Sequence, residues 1–147
     1  MKKQRGIYVV EFAIVGGVFF VLLFSALEIG RLFYTYSVLQ EASRRAARLA
    51  TVCYPTTDID QLALFNGANL IPNLSASNLY FLYLKKDGTA ATAPDGSDID
   101  LVKAEIRDYR HQFLVPGLYR TLNSPVFSST LPRESLGVYP GGITDCQ

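Results

Sequence analysis

Residues Ile7 to Leu27 form an apolar run of about 21 residues that holds one ionisable side chain, Glu11. A helix of that length, rising ~1.5 Å per residue, crosses the ~30 Å hydrocarbon core of a bilayer. Three cations, Lys2, Lys3 and Arg5, precede the run, and Glu28 and Arg31, which cancel in charge, end it. A cationic flank stays in the cytoplasm. The pattern therefore predicts a single transmembrane helix over 7–28, with the amino end inside and the rest of the chain outside.

Glu11 has two readings. A carboxylate at the bilayer centre costs about 2.5–3.5 kcal/mol, so an acid within a span is a functional candidate. Glu11 lies only about 6 Å along the axis from Ile7, so it can also reach the headgroups, and helix amino ends favour acids. A cleaved signal peptide is the alternative for the whole run, releasing a soluble protein near Leu27. Against it, Phe24-Ser25-Ala26 puts a bulky residue where a small one is wanted.

Helical periodicity continues outside the span. Leu32, Tyr36, Leu39, Ser43, Ala46 and Ala50 recur at three- and four-residue spacing, and Glu41, Arg44, Arg45 and Arg48 occupy another face. The membrane helix is thus expected to extend over 29–53 as an amphipathic rod that stops before Pro55. Its small residues allow close approach to a sheet. The arginines form either a solvated face, with Glu41 and Arg45 as an i,i+4 pair, or a contact for an acidic neighbour or anionic headgroups.

Residues 54–147 are expected to form a small extracytoplasmic α+β domain. Thr57-Asp58-Ile59-Asp60 reads as a helix start, with Leu62, Phe65 and Ala68 or Asn69 as the apolar stripe. Asn66-Gly67 and then Pro72 limit that helix. Asn78–Leu84 reads as a strand, Lys85–Gly88 as a turn and Thr89–Ser97 as a loop. Val102, Ala104 and Ile106 alternate with Lys103, Glu105 and Arg107, which predicts a second strand with one buried and one wet face. The alternation slips at Asp108, as at a bulge. Pro116-Gly117 marks a turn, Pro125–Leu131 a third strand closed by Pro132, and Val138–Gln147 an irregular tail. The fold class is α+β: a long amino-terminal helix packed on a small antiparallel sheet.

Little chemistry is written in the rest. Formal net charge is +1, which gives no electrostatic case for nucleic acid. The lone histidine, His111, reads as structural or solvated, and no zinc, redox or phosphate-loop motif occurs, so no cofactor, metal or enzymatic activity is expected. Asp95–Asp100 offers carboxylates but not the spacing of a calcium loop, and reads as a polar turn. Cys53 and Cys146 face an oxidising compartment in this topology and are expected to pair, the alternative being two free thiols.

Three strings in the first third of the chain resemble the TadE-like family. They are Glu11-Phe12-Ala13-Ile14-Val15, Glu28-Ile29-Gly30-Arg31-Leu32-Phe33-Tyr34, and Leu39–Ala50. Gly6 with Glu11 five positions later is similar to the processing site of type IV prepilins. Gly16-Gly17 departs from the family pattern and bears on local helix straightness. That family supplies minor pilins to Tad (Flp) pilus machines.

The resemblance implies a leader over 1–6, cut between Gly6 and Ile7 by a membrane prepilin peptidase. It also implies assembly through Glu11, with Phe12 beside it, Glu11 pairing with the new amino terminus of a neighbour. The implied partners are other pilin and minor pilin subunits, the peptidase, the inner-membrane assembly platform and membrane lipid. The implied location is the bacterial inner membrane, with passage into an extracellular pilus. The rival reading is a membrane-anchored periplasmic binding module for which the helix is only a tether.

Overall fold

The structure, a computed structural model, describes residues 5–54, 58–92, 97–114, 121–144 and 146. In chain order the elements are helix α1 (Arg5–Val52), the single turn α2 (Asp60–Ala63), and strands β1 (Leu79–Leu84), β2 (Leu101–Ile106), β3 (Arg110–Gln112), β4 (Thr121–Asn123), β5 (Phe127–Pro132), β6 (Val138–Tyr139) and β7 (Gly142–Ile143). This is the α+β arrangement expected from the sequence.

The 48 residues of α1 extend roughly 72 Å. The helix runs through Gly16 and Gly17 without a break. Between Ile7 and Leu27 its side chains are exposed, and Glu28 is the first buried one. Beyond it burial recurs at helical spacing: Thr35, Val38 and Leu39, Ala42 and Ser43, Ala46 and Ala47, Ala50. The expected stripe is therefore the packing face, with Leu32 and Tyr36 half-buried at its membrane end. Alanine and serine dominate because the strands lie close against this face, and a longer side chain would hold them off. Helix α1 ends at Val52, ahead of Pro55, which lies outside the described residues.

Strands β1, β2 and β5 form an antiparallel sheet in the order β1-β2-β5, with Leu79, Ile106 and Phe127 in register at one end and Leu84, Leu101 and Pro132 at the other. Leu79, Ala104 and Ile106 pack on Val38, Leu39, Ala42 and Ala46 of α1. Phe81, Phe127 and Leu131 pack around them. Val102 joins a second cluster with Ala50, Cys53, Ile59, Ile99 and Leu136. The third strand is shifted slightly from its expected place, and Pro132 is its last residue, tolerated on an edge strand. The turn at Lys85–Gly88 closes as expected, the Lys85 amide donating to the Thr89 carbonyl, with Gly88 at φ +83°.

Several expectations need correction. The wet face of β2 is not wet at Glu105, which is only 5% exposed. It sits on the central strand between Tyr80 and Ser128, and Lys103 and Arg107 fold onto its carboxylate. At Asp108 the chain does not bulge and continue; it turns at φ +57° and starts a separate ribbon, β3 paired with β4. Thr57, the expected N-cap, lies outside the described residues, and α2 is one turn followed by a 3-10 turn at Phe65–Gly67. Asn66, at φ 56°, ends that segment. Its buried side chains are Ile59, Ala63 and Ile71, while Ala68 and Asn69 are exposed and Leu62 and Phe65 only half-buried.

The tail after Val138 is ordered as the β6–β7 hairpin. It closes the far end of α1: the Leu136 amide donates to the Thr51 carbonyl, and the Tyr54 amide reaches the Thr144 carbonyl. Those contacts satisfy groups that a helix end leaves unpaired. Gly137, at φ +72°, lies so close to Cys53 and Tyr54 that any Cβ would overlap their backbone. Cys53 and Cys146 are joined by a disulfide, with Cα atoms 5.7 Å apart. Pro116-Gly117, Asp95 and Gly96 lie outside the described residues. Asp98 pairs with Lys85 at 3.2 Å and accepts from the Thr92 amide, which fixes it in a polar turn. Among the described residues no His, Cys, Asp or Glu cluster has the arrangement of a metal site.

Candidate membrane and assembly helix

The amino-terminal half of α1 carries the residues singled out for processing and assembly. Its most apolar 18-residue window has a mean hydropathy of 2.5, and none of that window is buried against the rest of the protein. A core helix of a soluble protein would be covered, so this segment is a candidate membrane span left bare by its own head. Around Gly6 an added Cβ would meet nothing within 4 Å, so the backbone there is open to another molecule. Ile7 is exposed, and Phe12, at 80%, is the most exposed large apolar residue described. Glu11 is exposed one turn beyond Ile7, and no described residue forms an ion pair with it. An acid on a lipid-length helix with nothing to neutralise it gains most from a cation supplied by another chain.

The junction between bare helix and head is built around Glu28. Its carboxylate accepts from Arg31 at 2.7 Å and from the Leu114 amide at 3.3 Å. His111 Nε2 stands 3.7 Å away, buried and without a hydrogen-bond partner among the described residues. The imidazole meets the Phe113 ring edge-on at 5.2 Å. In the sequence Glu28 and Arg31 mark only the end of the apolar run. Their i,i+3 spacing hints at a pair, but the partners from β3 lie more than eighty residues away in sequence and leave no local signal.

Farther along α1, Glu41, Arg44 and Arg48 are exposed. The expected Glu41–Arg45 pair is not formed among the described residues. Arg45 instead lies over the Phe65 ring, 4.8 Å from its centroid. The ring offers the guanidinium a partly covered face that a solvated carboxylate does not. Arg45, Arg48 and Glu41 line a shallow groove with Leu49, Leu62 and Asn66. Arg44 is sixteen residues beyond Glu28, roughly 24 Å along the axis from the end of the apolar run. At the start of α2, Asp60 is raised above its ordinary value by burial and then by Asp58.

A family model described as TadE-like protein matches residues 6–48. The match begins at Gly6 and covers the bare span, Glu11, the Glu28–Arg31 junction and the packing stripe as far as Arg48. It ends before the strands begin. No curated protein matches the chain, and no solved structure does. The amino-terminal helix is therefore similar to the TadE-like family over residues 6–48, and that match does not extend into the head.

Proposed function

We propose that this chain is a minor pilin of a Tad (Flp) type IV pilus, made with a leader over 1–6 and cut after Gly6. The mature helix from Ile7 to Glu28 crosses the inner membrane, and the segment 29–53 carries the domain 54–147 on the periplasmic side. Assembly proceeds through the helix. Glu11 pairs with the ammonium of a neighbouring subunit's first residue, and Phe12 packs beside it. The partners are other pilin and minor pilin subunits, the prepilin peptidase and the inner-membrane assembly platform. No catalysis by this chain is called for.

The observation that carries the reading is a bilayer-length helix left uncovered by its own head, with an acid, five positions past an open glycine, that has no ion-pair partner among the described residues. The TadE-like match over the same residues supports it. The test is Glu11→Leu. That change lowers the cost of insertion, so a mere tether tolerates it. An assembly subunit keeps normal membrane levels but loses incorporation, with loss of pili and of surface attachment. Normal piliation by Glu11→Leu cells would overturn the assembly role in favour of the anchored binding module.

A further inference from the structure

The lower edge of the head and the end of the apolar run coincide. Hydropathy changes at Glu28, roughly 31 Å along the axis from Ile7, and Glu28 is also the first residue of α1 that the head buries. The chain from Tyr109 to Leu114 moves along α1 toward that boundary. Tyr109 packs in the core with Val38 and Leu39, His111 stands beside Glu28, and the Leu114 amide donates to Glu28. The segment from His111 to Leu114, which begins in β3, is thereby held at the level of Glu28, where the apolar run ends.

Among the described residues, several large side chains exposed at that height are apolar or aromatic. The Leu114 side chain is 66% exposed. On α1, Ile29, Phe33 and Tyr34 are exposed within about 9 Å of Glu28 along the axis. The nearby charges, Glu28 and Arg31, neutralise one another. The interfacial layer is about 5–7 Å deep on each side of the hydrocarbon, and exposed apolar and aromatic side chains with paired charges suit it.

We infer that Leu114, two residues beyond β3, enters the outer interfacial layer of the bilayer that α1 spans, so that the head is seated on lipid and not held above it. The occupant of this surface is lipid of the same membrane. The inference rests on the membrane-spanning reading of α1. Because the head is packed rigidly on α1, a second contact with the bilayer beside the span biases the tilt of the rod toward the face that carries Leu114.

The test uses the full chain in lipid nanodiscs. Both native cysteines are in the disulfide, so Leu114→Cys supplies the single thiol for an environment-sensitive fluorophore. Phe19→Cys reports the span, and Val138→Cys, exposed on the distal hairpin, reports solvent. Lipids with a headgroup nitroxide quench what lies in the interfacial layer, and lipids with a nitroxide on the acyl chain quench what lies in the span. The Leu114 probe is expected to be blue-shifted and quenched by the headgroup nitroxide at least twofold more than the Val138 probe. If the Phe19 probe is quenched by acyl-chain nitroxide while the Leu114 probe behaves like the Val138 probe, the span stands and the seating is wrong. A blue-shifted but unquenched Leu114 probe means that protein, such as a second copy, covers the site, which also overturns the inference. An unquenched Phe19 probe removes the span itself and the seating with it.

Discussion

The Glu105 carboxylate holds two cations, Lys103 and Arg107, in a place nearly closed to solvent. Its hydrogen bond from Lys103 keeps the carboxyl below its ordinary range against the opposing effect of burial, and Arg107 adds to the lowering. A carboxyl depressed in the folded state contributes stability that is present above its unfolded value near pH 4.3. That contribution fades as pH falls through the lower folded value. Glu105→Gln should therefore cost about 1–2 kcal/mol in denaturant titrations at pH 7, and the gap from the parent protein should narrow below pH 4. A gap independent of pH would mean that the side chain acts through packing alone. Gly137 works through backbone shape. With φ +72° and no room for a Cβ beside Tyr54, Gly137→Ala should lower stability by about 1–3 kcal/mol, read as a fall in the denaturant midpoint.

Helix α1 serves two solvents with one backbone. Its first half has nothing of the protein against it; its second half presents Ala42, Ala46, Ala47 and Ala50 to the head. Enlarging that face, as in Ala46→Leu, should force the sheet away and cost about 1–3 kcal/mol, whereas Val18→Leu on the bare half should leave the head's thermal midpoint unchanged. The Cys53–Cys146 bridge closes a loop of 93 residues and is worth up to about 4–5 kcal/mol in the chain-entropy account. Replacing both cysteines by alanine should lower the midpoint and expose the β6–β7 tail to proteolysis before the sheet opens. These elements differ in how far the sequence announces them. The helix stripe is long enough for its period to be read, β1 is marked by its run of Leu, Tyr and Phe, and Val102, Ala104 and Ile106 give β2 directly. Strands β3, β4, β6 and β7 have only two or three residues each, too few for any period, and exist because of what they pair with. Glu105 misleads because alternation reports which face a residue is on, not whether neighbours on that face cover it. The meeting of Glu28 with His111 and Leu114 is tertiary throughout.

The whole molecule is a rod about 72 Å long with its head gathered on the far half. The disulfide and the hairpin bind the distal end, and Glu28 binds the membrane end. Such an arrangement leaves the span free for other polypeptides while the head keeps its shape, which is what a subunit handed from membrane to fibre requires. The TadE-like match ends at Arg48, within the rod and short of the strands of the head. The account depends on the rod being matured at Gly6, because only then does an ammonium on Ile7 exist for a neighbour's Glu11 to meet. Intact-mass analysis of the protein extracted from membranes of cells with an active prepilin peptidase tests this most directly. The account predicts a chain that has lost Met1 to Gly6 and begins at Ile7; a chain that still begins at Met1 would contradict it.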